Sequence, residues 1–136
     1  MEQLNSEGVY ISDKAGSYNM EDLQIMTAET GMEYTMLTID GKSYVIRGSE
    51  RGTPIPDELA ETLYGKQGDF VCHTHPYIGD LNPSKSDLDF MKSLTWQQDS
   101  IIIDPAGEMV IFDKSGVKEK KSVSTMRNQS YYDELF

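Results

Sequence analysis

The sequence predicts an α+β fold, a mixed β-sheet with flanking helices, and three observations lead to that prediction. The segments EYTMLTI and KSYVIRG flank Asp40-Gly41, the signature of a two-residue type I′ hairpin, so strands are expected at 33–39 and 42–48. The run DFVCHTH before Pro76 is apolar and β-branched, which is typical of a central strand. Apolar residues of SKSDLDFMKSL recur at helical spacing. Strands and helices that alternate in this way favour a sheet layered with helices.

Local signals place the remaining elements. Residues 1–18 are rich in Ser, Gly, Asn and Asp and are expected to form an irregular lead-in, with a short strand at Val9–Ile11. Asn19 is placed to cap a first helix that ends near Gly31. After the first hairpin we expect a helix over DELAETLYG that stops at Gly65, and after HTHP a helix that starts at Ser84. The segments SIIID and MVIFD are expected to form a hairpin around the turn PAGE, followed by a last helix within Ser122–Phe136.

Composition limits the class of protein. A length of 136 residues suits one domain, so residues 1–136 are expected to form a single unit. The net charge of −11 argues against a sequence-independent grip on nucleic acid, since phosphate binding needs a basic surface. The opening lacks the basic start and apolar run expected of a secretory signal, and no apolar run reaches the roughly 18–20 residues that span a bilayer. We expect a soluble, cytoplasmic protein with no membrane or nucleic-acid partner.

The two histidines of the chain, His73 and His75, lie together in the segment HTHP. Residues two apart on a strand project from the same face, so both imidazoles are expected to point to one spot at the end of the strand. Neutral imidazole is the commonest protein ligand of zinc. A pair of surface histidines without function is the alternative, but the concentration of both histidines in one segment favours a metal site.

Two histidines cannot close a structural metal site. The single cysteine, Cys72, is expected to point to the opposite face and to be buried there as a small apolar side chain, so a third ligand should be a carboxylate. Two histidines with one carboxylate leave the fourth position of Zn²⁺ open for water, which is the arrangement of catalytic sites. HExxH and PCxxC segments are absent, which excludes the metalloprotease and deaminase classes that need them.

The segment HTHPYIGDLNPSKSD resembles the motif of the JAMM metallopeptidases, also called MPN+ or JAB1-like. In that motif HxHP is followed by a Ser and, three residues on, by an Asp, with a Glu far upstream. The resemblance covers the chain from about Glu33 to the strand expected at 107–113, and the succession HTHP, PSKSD and SIIIDPAGE is similar to the bacterial branch, which occurs in polymorphic toxins and phage proteins. It implies a cytidine-deaminase-like JAB/MPN architecture and a single JAB/MPN-like metalloprotease domain.

The resemblance also implies a role for each site residue. His73, His75 and Asp87 would bind Zn²⁺, and Ser84 would help to hold the oxyanion. A glutamate would be the general base, and Glu33, just ahead of the hairpin, fits the family's placement on an early strand. The alternatives are Asp80 and Asp89 as ligands and Glu29 and Glu50 as bases.

Two features of the segment from Pro76 to Asp87 bear on this assignment. The family usually has seven residues between the second His and the Ser, whereas residues 76–83 make eight here, an insertion that a surface loop can absorb. Ser84 and Asp87 also have the spacing of a capping box, which starts a helix without any catalytic function. Their position within a dozen residues of HTHP favours the oxyanion and ligand roles.

The resemblance predicts a zinc-dependent hydrolase that cleaves peptide or isopeptide bonds, such as the link between a ubiquitin-like tag and a lysine. Zinc would activate water and polarise the carbonyl, Glu33 would pass the proton to the leaving amine, and Ser84 would share the charge of the oxyanion. A non-catalytic JAB/MPN-like protein-interaction module is the alternative function, and delivery as a toxin domain is the alternative to a free cytoplasmic enzyme. The acidic charge disfavours a nuclease.

Overall fold

The computed structural model describes residues 2–3, 9–12, 18–50, 52–53, 55, 57–66, 68–94, 97 and 99–122. These residues form three helices and eight strands, so the predicted α+β class is confirmed. In chain order the elements are β1 (Glu2–Gln3), β2 (Val9–Ser12), α1 (Met20–Thr30), β3 (Tyr34–Ile39), β4 (Lys42–Arg47), α2 (Asp57–Lys66), β5 (Asp69–Thr74), α3 (Lys85–Ser93), β6 (Ser100–Ile103), β7 (Glu108–Asp113) and β8 (Gly116–Ser122).

The strands of the described residues form one sheet in the order β1-β2-β4-β3-β5-β6-β7-β8. The pair β5 and β6 is parallel and the other neighbouring pairs are antiparallel, so the sheet is mixed, as predicted. The strand that carries HTHP, β5, lies between β3 and β6. Because β5 and β6 run parallel, their carboxyl ends meet at the same edge of the sheet.

The hairpin of β3 and β4 has the turn that the sequence predicts. Asp40 and Gly41 both have positive φ, 52° and 75°, as a type I′ turn requires, and Ile39 pairs with Lys42 on either side of them. The expected strands are confirmed to within one residue at each outer end. This turn fixes the register between β3 and β4. Glu33 directly precedes Tyr34, the first residue of β3.

Capping signals correctly place both ends of α1 and the start of α3. Asn19 and Asp22 form a capping box at the start of α1, and Gly31 ends that helix in the left-handed conformation with φ 72°. Ser84 caps α3. The predicted stop of α2 at Gly65 is wrong by one residue, because the last turn continues to Lys66.

The amino-terminal and carboxyl-terminal regions differ most from expectation. The short strand expected at Val9–Ile11 is confirmed as Val9–Ser12, which pairs with β4. The rest of the lead-in differs from expectation in that Glu2–Gln3 forms a strand beside Val9–Ser12. The strand at Gly116–Ser122 was not predicted, and its side chains are mostly exposed and charged, so no apolar alternation marks it. The helix expected within Ser122–Phe136 lies almost entirely outside the described residues. Within the described ranges no helix combines the length and apolar character that a membrane span needs.

The sheet is covered on both faces by separate apolar clusters. One cluster joins Leu63 of α2 and Met91 of α3 to Phe70 and Ile102 of the sheet. The other contains Leu23 of α1 with buried residues of the strands, including Cys72. Helices α2 and α3 therefore lie on one face and α1 on the other.

A bulge in β5 decides which side chains share the face of α3. Consecutive residues Met36 and Leu37 of β3 pair with Cys72 and Phe70, so Val71 is an extra residue in β5. Phe70 consequently lies in the cluster of α2 and α3, whereas Cys72 lies in the cluster of α1. The bulge brings Phe70 and His73 to the same face, where their rings stack with centroids 5.3 Å apart.

Candidate metal centre

The carboxyl end of β5 presents both histidines beside Glu33. Thr35 pairs with His73 in the antiparallel register of β3 and β5, and the amide of Tyr34 donates to the hydroxyl of Thr74 at 2.9 Å. Glu33 therefore comes opposite His75. On the other side, the amide of His75 donates to the carbonyl of Ile103 at 2.9 Å, which continues the parallel ladder with β6.

Three ligand-type atoms form a nearly equilateral triangle at this point. His73 Nε2 lies 3.2 Å from His75 Nε2. Oδ2 of Asp87 lies 3.1 Å from His73 Nε2 and 3.3 Å from His75 Nε2. A tetrahedral zinc ion with bonds of about 2.0–2.1 Å holds its ligand atoms roughly 3.3–3.4 Å apart. The donor set and its spacing therefore match one face of a zinc tetrahedron.

Asp87 belongs both to this triangle and to the start of α3. Its Oδ2 accepts the amide hydrogen of Ser84 at 2.8 Å, and its own amide donates to Ser84 Oγ at 3.1 Å, which completes a capping box. The capping and ligand interpretations are thus compatible, because one carboxylate oxygen serves both. Burial raises the pKa of Asp87, but hydrogen bonds from His73 and His75 outweigh it and hold that pKa far below its ordinary value.

Glu33 is buried beside the triangle and held by a threonine. Its Oε2 accepts a hydrogen bond of 2.7 Å from the hydroxyl of Thr53, and its Oε1 lies 3.9 Å from His75 Nε2. Burial raises the pKa of Glu33 above its ordinary value, although the two histidines and the Thr53 hydrogen bond oppose that rise. A carboxylate that is buried, oriented and close to the histidine nitrogens has the properties of a general base.

Two carboxylates thus flank the histidine pair. Ligand-type atoms of Glu33, His73 and His75 all lie within 4.8 Å of one another, so this buried group could hold a metal ion. Asp87 approaches both histidine nitrogens more closely than the 3.9 Å that separates Glu33 from His75. Of the two carboxylates, Asp87 makes the closer approach to His75, and Glu33 lies beside the triangle.

The ring of His75 is oriented by a backbone carbonyl. Its Nδ1 lies 2.9 Å from the carbonyl oxygen of Asp80. Because a carbonyl only accepts, Nδ1 carries a proton, so loss of the proton on Nε2 frees the lone pair of that atom toward the triangle. Burial lowers the pKa of His75, but the hydrogen bond with Asp87 and the charges of Asp87 and Asp80 outweigh it and raise the pKa above its ordinary value.

His73 is oriented by packing instead. Phe70 stacks on its ring, and Phe112 approaches edge-on with centroids 6.0 Å apart. His73 Nδ1 is buried and has no hydrogen-bond partner among the described residues. The position of Nε2 in this histidine is therefore set by aromatic side chains of β5 and β7.

The four alternative residues lie elsewhere. Asp80 offers its backbone to His75, and its exposed carboxylate is 3.6 Å from Nδ1, on the side of the ring away from the triangle. Asp89 is exposed and pairs with Lys85 at 3.5 Å. Glu50 accepts from the hydroxyl of Tyr77 at 3.0 Å, and Glu29 is exposed in the last turn of α1.

A half-open cavity of about 860 Å³ leads to the triangle. Phe70, Phe90 and Ile55 supply apolar wall, while Ser84 and the carboxylates of Glu33 and Asp87 supply polar wall. The charged side chains among its described lining residues, apart from the histidines, are all carboxylates, namely Glu33, Glu50, Asp80 and Asp87. The carboxylates give the cavity a negative charge, which suits a divalent cation.

Sequence reasoning missed two residues that hold the site together. Thr53 lies 20 residues from Glu33 in a loop, and no local pattern marks it. Asp104 is 1% exposed and accepts amide hydrogens from Gly79 and Glu108 at 2.9 and 3.0 Å. The position of Asp104 directly after an apolar strand could have indicated a structural role. The same pattern is equally typical of an ordinary turn residue.

Comparisons of the chain with known protein families, with curated proteins and with solved structures gave no match.

Proposed function

We propose that the protein is a zinc-dependent hydrolase of the JAMM type that cleaves peptide or isopeptide bonds. The triangle of His73 Nε2, His75 Nε2 and Asp87 Oδ2, with sides of 3.1–3.3 Å, carries the proposal. Three side chains from two elements have converged to the spacing of zinc ligands, and a buried carboxylate stands next to them. An interaction module would not need that convergence.

The order of elements around the site supports a JAB/MPN architecture for the chain. An early hairpin brings Glu33 to the sheet, β5 ends in HTHP, and α3 begins at the Ser of SxxD. The eight residues between His75 and Ser84 still return Ser84 to the cavity wall. The longer loop is therefore compatible with the motif.

The residues of the chain have separate tasks in this reaction. His73, His75 and Asp87 would hold the metal ion, which would supply Lewis-acid activation of water and of the scissile carbonyl. Glu33 takes the proton of the attacking water and delivers it to the nitrogen of the leaving amine. The hydroxyl of Ser84 accepts from the Asp87 amide, so its own proton remains available for the oxyanion.

Metal content tests the site. Elemental mass spectrometry of protein purified without chelator should find about one zinc per chain. His75→Ala and Asp87→Asn should lose the ion, whereas Asp89→Asn, the same change on an exposed residue of the same helix, should keep it. A metal-free wild type would overturn the proposal in favour of the interaction module. The same measurement identifies the metal and so distinguishes zinc from iron and manganese.

Hydrolysis tests the chemistry. The substrates are a quenched peptide library and a ubiquitin-like protein joined through its carboxyl terminus to a lysine side chain of a fluorescent peptide. Glu33→Gln should abolish cleavage and keep zinc, because it removes the base and leaves the ligands. Glu29→Gln, on the exposed end of α1, should cleave like the wild type. Cleavage by Glu33→Gln at the wild-type rate would show that another group is the base.

A further inference from the structure

Asp104 connects the turn after β6 to the loop after β5. Its side chain is almost wholly buried, and each carboxylate oxygen accepts one backbone amide: Oδ2 that of Gly79 and Oδ1 that of Glu108. The backbone of Asp104 also exchanges hydrogen bonds with the turn, because its amide donates to the carbonyl of Glu108 at 3.0 Å. Hydrogen bonds therefore hold both the backbone and the side chain of Asp104, and the carboxylate in turn holds the loop after β5 through the amide of Gly79.

The held loop carries the partner of His75. Gly79 has φ 86°, and the amide of Asp80 donates to the carbonyl of Tyr77 at 3.1 Å, so residues 77–80 form a turn. The carbonyl of Asp80, one residue after Gly79, accepts from His75 Nδ1 at 2.9 Å. The position of Gly79 therefore sets the carbonyl that orients the imidazole. We call Asp104, Gly79 and Asp80 the loop clamp.

We propose that Asp104 is a positioning residue for the metal centre and acts through the loop clamp on the ring of His75. The inference rests on the proposed metal site, in which His75 Nε2 is a ligand. It also explains how a loop of eight residues between His75 and Ser84 keeps a defined shape. Without the clamp, the Asp80 carbonyl is free to leave Nδ1, and the ring loses the hydrogen bond that holds its tautomer and direction.

A carboxylate is required at position 104 because both of its neighbours are donors. In Asp104→Asn, one side of the amide still accepts, but its NH₂ group faces the second N–H donor. Loss of the direct outer partner of a metal ligand weakens metal binding by about 10–100-fold, and Asp104 acts one step further out, through the carbonyl of Asp80. Asp104→Asn should therefore bind zinc about three- to tenfold more weakly than the wild type, measured by competition with a chromophoric chelator.

A matched control separates this effect from general loss of a turn contact. Asp113 accepts the amide of Ser115 at 2.8 Å in the turn between β7 and β8, so Asp113→Asn makes the same chemical change away from the loop clamp. It should bind zinc like the wild type. The visible spectrum of the cobalt-substituted proteins gives a second readout: the bands should shift for Asp104→Asn and coincide with wild type for Asp113→Asn.

A second pair of variants covers the case in which Asp104→Asn fails to fold. Gly79→Ala strains the backbone at φ 86°, although a Cβ there would have open space around it. Gly31→Ala imposes the same kind of strain at φ 72°, also in open space, at the end of α1. The inference requires that Gly79→Ala weaken zinc binding and that Gly31→Ala leave it unchanged.

The outcomes distinguish the inference from the proposed function. A wild type that binds no zinc overturns both. A wild type that binds zinc, with Asp104→Asn and Gly79→Ala within twofold of it, overturns the inference and leaves the proposed function standing. Weaker binding in both clamp variants, with both controls unchanged, supports the inference.

Discussion

The hydroxyl of Thr53 donates a hydrogen bond of 2.7 Å to Oε2 of Glu33. The other oxygen, Oε1, is thereby turned toward His75 Nε2, 3.9 Å away. Thr53 lies in the loop between β4 and α2, and this loop packs closely on the end of β4: a Cβ on Gly48 would stand 2.6 Å from Thr53 Oγ1. The orientation of Glu33, the proposed base, thus depends on the loop that contains Thr53, and this loop packs against Gly48.

Thr53→Val should lower turnover by about tenfold while zinc content stays at one per chain. The change keeps the shape of the side chain and removes a hydrogen bond to a charged group, which is worth about 1.5–3 kcal/mol. The base then samples orientations that do not face the attacking water. Steady-state kinetics on the substrate found by the cleavage screen give the turnover number.

The serine variant is the control for Thr53. Thr53→Ser retains the hydroxyl and should turn over like the wild type. A loss of turnover in Thr53→Ser, with Thr53→Val like the wild type, would assign the effect to packing of the methyl group and would contradict the orienting role.

Local residue patterns predicted the parts of the fold and site that depend on neighbours in sequence. Asp40-Gly41 defines its turn by two positive φ angles, and HTHP sets two imidazoles on one strand end. The capping spacing of Ser84 and Asp87 is likewise a property of a few adjacent residues. These features follow from the chain within one turn or one strand.

Long-range pairing decided what the sequence did not predict. Thr53 meets Glu33 across 20 residues and Asp104 meets Gly79 across 25, so neither contact leaves a periodic signal. The extra residue Val71 reverses the face of Phe70, which no alternation pattern indicates. The strand Gly116–Ser122 gains its partners from β7 and has no apolar face of its own.

Ser84→Ala should have two separable effects. Loss of the helix cap should lower the free energy of unfolding by about 1 kcal/mol. Loss of an oxyanion donor should lower turnover by about 10²-fold. Asn19 forms the same capping box at the start of α1, so Asn19→Ala should show the stability loss alone. Denaturant unfolding and kinetics measure the two quantities, and a turnover for Ser84→Ala as high as that of Asn19→Ala would remove the oxyanion role.

The pH dependence of stability should reverse sign when zinc is removed. In chelator-treated protein the pKa of His75 is raised above 6.5, so its stabilising contribution is complete below pH 6.5 and is lost as pH rises through the folded pKa. The raised pKa of Glu33, above 4.5, acts in the same direction, whereas the depressed pKa of Asp87 removes stability only below about pH 3.8. The free energy of unfolding of the chelator-treated protein should therefore fall as the pH rises above about 6.5.

With zinc present, the same interval should show the opposite trend. Protons compete with the metal for His75 and His73, so raising the pH strengthens binding and adds stability to the folded state. Urea unfolding at a series of pH values, in chelator and in zinc, measures both curves. Two curves of parallel slope would show that no ion binds at these histidines.

Cys72 should be inert in the folded protein. Burial in the cluster of α1 raises its pKa to about 12, so the thiolate is scarce at neutral pH and reagents have no access. A chromogenic disulfide reagent should react with about one thiol per chain in denaturant and far more slowly without it. Cys72→Ala should retain hydrolysis, and loss of hydrolysis without loss of zinc would make the cysteine a participant.

The capping box at Ser84 has a consequence for how an ion enters. Asp87 is held by hydrogen bonds at the start of α3 and Glu33 by the hydroxyl of Thr53, so both carboxylates have orienting partners that belong to the chain itself. Zinc fingers, by contrast, are unfolded until zinc arrives. Loading here would cost little ordering entropy, and chelation would empty the site while the chain stays folded. The folded chain could then be emptied and refilled with different ions, one metal at a time, on the same sample.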